Sequence, residues 1–310
     1  MRSSGNSAWV RERPSRQWRN IPGTAPAPVS SAARIGRRLR WRTAPRSGSS
    51  SPPPAAEGVM MGQAILDEEE RERYSRQTML PAWGEEGQLR LKRSVVFVAG
   101  LGGLGGPVCL YLAAAGVGTL ILCDDGLVEI SNLNRQLLYD EADLGKPKTA
   151  AAARKLRGLN PRTETVERRV RLREGSVAGI ASDADILVDC LDNYQARQVL
   201  NAHAVRAGLP LLHGGVLGAG GQFAFLFPPL TPCLHCIFPD DAAERSAPLP
   251  AVGPAAGMVA SVQALAALRY LVFGEPTMPN LFWRTDGWNP QAEALEIQRD
   301  ERCPVCGRIS

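Results

Sequence analysis

The sequence predicts an α/β fold: a mostly parallel sheet with helices on both faces, extended by C-terminal antiparallel strands and a four-cysteine knuckle. Three observations predict it. Strand-length apolar runs alternate with helix-length runs from Val95 to Ala207. A Gly-rich turn, GLGGLG at Gly100 to Gly105, stands between the first apolar strand and the next helix, the G-x-G-x-x-G arrangement of a Rossmann-like sheet. After Pro210 the alternation stops, and two C-x-x-C pairs follow.

Each element has its own signal. Leu66 to Arg90 reads as helical pieces around Pro81. Val95 to Ala99 is a buried strand, and a helix from about Leu104 to Ala115 carries small residues toward the sheet. Leu120 to Cys123 is the second strand, followed by a helix from Lys148 to Gly158 and a strand near Thr165 to Val170. Ala184 to Cys190 is another apolar strand, and Asn193 to Ala207 another helix. Leu211 to Val216 and Gln222 to Phe227 flank a Gly-rich turn. A cysteine loop, a long small-residue helix from about Gly253 to Phe273, and short strands at Leu281 to Arg284 and Ala294 to Ile297 complete the pattern.

The bulk numbers bound the rest. At 310 residues, with 44% hydrophobic and 22% charged residues, the chain has the composition of a globular protein. The net charge of +5 is concentrated at one end: residues 1–59 hold 11 arginines against Glu12 and Glu57, a local +9, so the remainder carries −4. A mildly acidic body gives no reason to expect a nucleic-acid partner. No run approaches 18 consecutive apolar residues, so no membrane span is expected. Residues 1–59, rich in Arg, Ser, Pro and Gly, read as a disordered extension or an upstream start before Met60 or Met61. An organelle transit peptide is the other reading of that composition. Residues 60–310 form the predicted domain, with its metal-binding part at 228–240 and 300–310. Nothing resembles a cleaved secretory signal, so reduced thiols and a cytoplasmic location are expected.

The motifs between the strands carry the chemistry. Gly100, Gly102, Gly103 and Gly105 let the backbone approach a phosphate, and the following helix N-terminus offers N–H donors. This does not choose among NAD, FAD and ATP. Asp124, ending the second strand, stands where a ribose-binding acid belongs, and Asp125 beside it can take the same role. Ser131-Asn-Leu-Asn-Arg-Gln136 then brings donors that hydride transfer does not need. Arg135 can clamp phosphate oxygens as a fork. Lys148, in Gly145-Lys-Pro-Lys148, opens a helix and can reach the same charge. Asp192, in Asp189-Cys-Leu-Asp-Asn193, follows a strand end and is placed to hold Mg²⁺ on phosphates. Alternatively it caps the helix that follows.

Cys233-Leu-His-Cys236 and Cys303-Pro-Val-Cys306 supply four soft thiolates, enough for a closed tetrahedral Zn²⁺ site of structural type. Such a four-cysteine zinc knuckle would tie the later pair to the middle of the chain. A redox pair or unrelated thiols are the competing readings.

Together these motifs carry a resemblance. From Arg73-Tyr-Ser-Arg-Gln77 to Cys306 the chain resembles the ThiF/MoeB/HesA adenylyltransferases, bacterial relatives of ubiquitin-activating enzymes. RYSRQ, GLGGLG, DDGLVEISNLNRQ, GKPK, DCLDN and the two cysteine pairs occur in the family's order. The resemblance implies ATP and Mg²⁺ binding and adenylation of a small ubiquitin-like sulfur carrier at its C-terminal Gly-Gly carboxylate. It implies Asp124 on the ribose, Arg135 and Lys148 on the phosphates, Asp192 on Mg²⁺, and Asn132 and Gln136 lining the same site. It also implies a homodimer in which Arg76 reaches the partner's site.

Two departures stand out. Gly126 occupies the place of the second acid in the family's D-x-D-x-V. The loop Asp240 to Gly253 lacks the cysteine of relatives that form a thioester, with Ser246 about where it would fall. An NAD(P)-dependent oxidoreductase and a non-catalytic, zinc-stabilised binder of a ubiquitin-like partner are the alternatives. A family member acting on another carboxylate, a modified tRNA nucleoside or a peptide, is a third.

Overall fold

A computed structural model of the chain describes residues 65–239, 249–289 and 291–309. The expectations for 1–59 and for Ser246 lie outside the described residues. Three helices lead in: α1 (Glu68–Arg73), α2 (Ser75–Thr78) and α3 (Gly84–Arg93). The first is fixed by a capping box. Asp67 accepts from the Glu70 N–H at 2.9 Å, and Glu70 accepts from the Asp67 N–H at 2.9 Å.

The sheet-forming part follows as β1 (Val95–Ala99), α4 (Gly105–Ala115), β2 (Thr119–Cys123), α5 (Lys148–Leu159), β3 (Glu164–Arg168), α6 (Ser176–Ile180), β4 (Ile186–Asp189), α7 (Tyr194–Ala207) and β5 (Leu211–Leu217). Then come β6 (Gly220–Leu226), α8 (Leu234–Ile237), α9 (Gly253–Phe273), β7 (Leu281–Asp286) and β8 (Gln291–Glu296). Short α6 and α8 are too brief to show a helical period in the sequence. The polar β3, Glu-Thr-Val-Glu-Arg, begins and ends earlier than expected because it is an edge strand with little buried surface.

All eight strands form one sheet in the order β3-β2-β1-β4-β5-β6-β7-β8. Strands β3 to β5 pair in parallel, and β5 through β8 pair antiparallel. The two faces bury separate apolar clusters. One gathers Val96, Val98, Leu120, Leu122 and Val188 under α4, α5 and α9. The other gathers Phe97, Ala99, Leu187, Leu200 and Leu211 under α7. Strands buried on both faces must be apolar throughout, which is why β1 reads Val-Val-Phe-Val-Ala.

The expectation about membrane-length segments needs one correction. Helix α9 is 21 residues long with a mean hydropathy of 1.5, long and apolar enough to cross a membrane by length and composition. Half of it is buried, against α3, α4, β5 and β6, so here its apolar character serves the core.

The order reverses at β1, where the chain leaves toward β2 in one direction and toward β4 in the other. In an open parallel sheet, the crevice beyond the carboxyl ends of such strands is where ligands bind.

Candidate active site

At this crevice Gly100 turns with φ 87°, and its N–H donates to the Cys123 carbonyl at 2.8 Å. A Cβ on Gly105 would lie 1.8 Å from the Gly100 carbonyl oxygen, so only glycine lets α4 start against the turn. Asp124, leaving β2, braces this turn. Its carboxylate accepts from the Leu101 N–H at 2.7 Å and from the Gly126 N–H at 2.8 Å. Each oxygen keeps lone-pair capacity for a further donor such as a ribose hydroxyl.

Lys148 is the first residue of α5, so its ammonium stands at a helix N-terminus that is itself partly positive. A Cβ on Gly126 would lie 3.6 Å from Lys148 Nζ. The missing acid of the D-x-D pattern therefore removes a carboxylate from beside this lysine. Arg135 Nη1 is held by the Ser131 carbonyl at 2.9 Å and Asn134 Oδ1 at 3.1 Å. Asp192 is exposed and does not cap α7. Asn193 does that, accepting from the Ala196 N–H at 2.8 Å, which leaves the Asp192 carboxylate for the cleft.

These groups line one cleft of about 3330 Å³. Gly100, Gly102 and Gly103 form its floor, with Asp124, Asp125, Arg135, Gln136, Lys148 and Asp192 around them. Three expected residues are not part of its lining. Gly105 is buried behind the turn. Asn132 is buried and caps its own turn, accepting from the Glu129 N–H at 3.1 Å. Arg76 is exposed on α2, outside the cleft of its own chain. Gln136 is 5% exposed, and its Oε1 has no hydrogen-bond partner among the described residues. A Cβ on Gly102 would stand 3.6 Å from its Nε2.

Sequence reasoning passed over a second set of residues. Asp189, at the end of β4, and His213, paired with it within β5, are fully buried neighbours, with His213 Nδ1 2.7 Å from Asp189 Oδ2. Gln222 Nε2 lies 2.9 Å from His213 Nε2. Arg197 of α7 approaches the other Asp189 oxygen at 3.8 Å and donates to the Gly214 carbonyl at 3.1 Å. Burial opposes the charge on Asp189, but Arg197, His213 and the Leu191 N–H outweigh it and hold its carboxyl below the ordinary value. Burial pulls the His213 imidazole below its ordinary value.

The cysteine pairs meet on the far side of α7. Cys233–Cys236, Cys233–Cys303 and Cys236–Cys306 have their sulfurs 3.9, 3.7 and 3.4 Å apart, and all four lie within 4.8 Å of one another. Tetrahedral Zn²⁺ with bonds near 2.3 Å requires sulfur separations of about 3.8 Å, so the residues fit a closed four-thiolate site. Asn201 of α7 accepts from the Leu234 N–H at 2.9 Å, and Arg299 donates to the Cys306 carbonyl at 2.7 Å, anchoring both knuckles. Purified protein is expected to carry about one Zn²⁺ per chain. Cys303→Ser should lose it and loosen the second knuckle while leaving ATP binding intact. Metal analysis of chelator-free preparations checks the first point, and nucleotide titration of the variant checks the second.

Fold and cleft together define a Rossmann-type nucleotide-binding enzyme, with two cations and an exposed carboxylate lining the same cleft as the Gly turn. Residues 74–305 match the model of the ThiF family. The chain belongs to the ThiF family and is an adenylyltransferase. It is 40% identical over 238 residues to the sulfur carrier protein ThiS adenylyltransferase of Escherichia coli, covering 76% of this chain and 94% of that protein. It is 39% identical over 249 residues to a sulfur carrier protein adenylyltransferase of Thermus thermophilus, covering 77% and 92%. Among solved structures, E. coli MccB with ATP superposes with a TM-score of 0.68 at 27% identity, covering 78% of this chain and 76% of that one.

Proposed function

We propose that this enzyme activates the C-terminal Gly-Gly carboxylate of a small ubiquitin-like sulfur carrier by adenylation with ATP. The observation that carries the reading is the convergence of Asp124, Arg135, Lys148 and Asp192 on one Gly turn, in a cleft that continues past it over β5 and β6. Relatives named for the adenylylation of sulfur carriers support the same substrate class.

In the proposed reaction a carboxylate oxygen of the carrier attacks the α-phosphorus of ATP. The new bond is carboxyl O–Pα, the bond from Pα to the bridging oxygen of Pβ breaks, and pyrophosphate leaves with that electron pair. Asp124 holds the ribose. Arg135 and Lys148 face the charge that accumulates on the phosphate oxygens, and positioned cations in a shielded cleft lower such a barrier most effectively. Mg²⁺, held by Asp192 and the phosphates, would neutralise charge on the departing pyrophosphate.

No thiol is placed for a covalent carrier intermediate among the described residues. Burial pushes Cys109 and Cys123 up to about 12 and Cys190 well above its ordinary value, and the other four cysteines gather in the cluster that fits Zn²⁺. The acyl-adenylate is therefore the proposed end product at this site. Exchange of labelled pyrophosphate into ATP, dependent on a carrier ending in Gly-Gly, tests the reading. NAD(P)-dependent oxidoreduction with no exchange would overturn it.

A homodimer with Arg76 acting in the partner's site completes the proposal, since Arg76 is exposed and lies outside its own cleft. Arg76→Ala and Asp192→Ala homodimers should each be weak, and mixing them should rebuild one site with both native side chains. Exchange rates of the mixture, measured after verified subunit exchange, would show recovery; none would place Arg76 outside the reaction.

A further inference from the structure

A polar chain under the antiparallel half of the cleft lies outside the set of groups assigned to the nucleotide above. Its members are Asp189 on β4, His213 on β5 and Gln222 on β6. Their proton positions follow from chemistry. Asp189 is an ionised, fully buried carboxylate and can only accept, so His213 Nδ1 carries the ring proton and donates to it at 2.7 Å. A neutral imidazole has a single N–H, so Nε2 is an acceptor, and Gln222 must present its amide nitrogen to it, 2.9 Å away. Turning the Gln222 amide over would set its carbonyl against the imidazole lone pair. The side-chain carbonyl is thereby fixed in the opposite direction.

Gln222 and His213 both line the cleft, and the side-chain hydrogen bond that Gln222 makes among the described residues runs through its amide nitrogen to His213, not through its carbonyl. The space for this posture is built into the backbone. Gln222 pairs across the ladder with Gly215, where a Cβ would lie 2.7 Å from Gln222 Nε2. Any side chain at 215 would block the reach to His213.

The place along the sheet fixes what arrives there. Asp124 sets the ribose over β2 and the Gly turn sets the phosphates over β1, so an acyl chain leaving the α-phosphate runs the other way, over β4 and β5. Strand β4 stops at Asp189, level with His213, whereas β5 continues to Leu217 and walls this path. At about 4.8 Å per strand, the Gln222 amide above β5 stands roughly 10 Å from β1, within reach of the last two residues of an extended peptide.

We propose that Gln222 recognises the acyl substrate. Held by the Asp189–His213 pair, its carbonyl accepts a backbone N–H from one of the last two residues of the peptide carboxylate being adenylated. His213 is a positioning residue that acts through Gln222. The inference rests on the adenylation reading and adds a requirement of its own: the substrate must offer a peptide amide near its carboxyl end.

The test needs no identified carrier. Adenosine bearing N-acetylglycylglycine through a non-hydrolysable sulfamate mimics the acyl-adenylate, and a second compound replaces both backbone N–H groups with ester oxygens. Calorimetry with the full-length protein is expected to show the amide form binding about tenfold tighter, the value of one well-placed hydrogen bond. Gln222→Met, which keeps the length and removes the carbonyl, should bind both forms equally, with ATP affinity unchanged. Nitrogen NMR should find His213 as the neutral Nδ1–H tautomer, one signal among only three histidines. Equal binding of the two compounds by the native protein, discrimination surviving in Gln222→Met, or an Nε2–H tautomer would each overturn the assignment. If ATP binds and neither compound does, the adenylation reading fails, and this inference fails with it.

Discussion

Arg135→Ala, Lys148→Ala and Asp192→Ala are each expected to lower carrier-dependent pyrophosphate exchange on the order of 100-fold or more, the usual effect of removing one preorganised contact to developing charge. The three differ in what else they change. In the proposed reaction Lys148 and Arg135 meet the phosphates directly, so their loss should weaken ATP binding with or without Mg²⁺. Among the described residues Asp192 makes no hydrogen bond beyond a 3.5 Å contact from Asn193, so its removal should leave Mg²⁺-free ATP binding unchanged and abolish only the part that Mg²⁺ adds. Exchange kinetics and nucleotide titrations at varied Mg²⁺ separate these effects. Near-full exchange in both Arg135→Ala and Asp192→Ala would show that the site is wrongly assigned.

The largest loss of stability is expected from Asp189→Ala. Its carboxylate is fully buried, accepts from His213 and the Leu191 N–H, and stands 3.8 Å from Arg197. Removing it leaves the His213 N–H and the Leu191 N–H without their acceptor and takes the counter-charge from beside Arg197. Breaking a buried pair from one side typically costs about 3–5 kcal/mol. Denaturant unfolding of the variant against the native protein measures the difference. A loss below about 1 kcal/mol, the scale of an exposed ion pair, would mean that Arg197 and His213 find other partners.

Much of this was legible in the sequence, for identifiable reasons. Parallel strands buried on both faces leave uninterrupted apolar runs, so β1, β2 and β4 announced themselves. The Gly turn did so because no other residue can occupy positions 100 and 105. The cysteine pairs were legible because metal chemistry fixes spacing within a knuckle. What escaped notice depends on pairing between distant segments. His213 sits inside the apolar run Leu211-Leu-His-Gly-Gly215, and nothing local says that Asp189 lies beside it. A signal was present in the two glycines that follow. Gly214 leaves space for Gln263, and Gly215 for Gln222, one on each face of the sheet. Asn132 was read as a site residue from its motif, whereas its side chain satisfies a backbone N–H of its own turn. Asp192 was weighed as a cap of α7 and Asn193 read as its first residue, whereas Asn193 is the cap, because both residue types suit that position.

Among the described residues the sheet closes on neither side. Strands β3 and β8 each pair along one margin only there, leaving two rows of backbone donors and acceptors that another copy of the chain could zip onto. Both margins carry acids: Glu164 and Glu167 on β3, Glu293 and Glu296 on β8. Strand-to-strand polymerisation through like margins would bring these carboxylates together, a repulsion that persists as long as they remain ionised. The polar sequence of the two outermost strands thus disfavours the pairing of like margins, and acidification that neutralises their carboxylates would weaken that bar to fibre-like association.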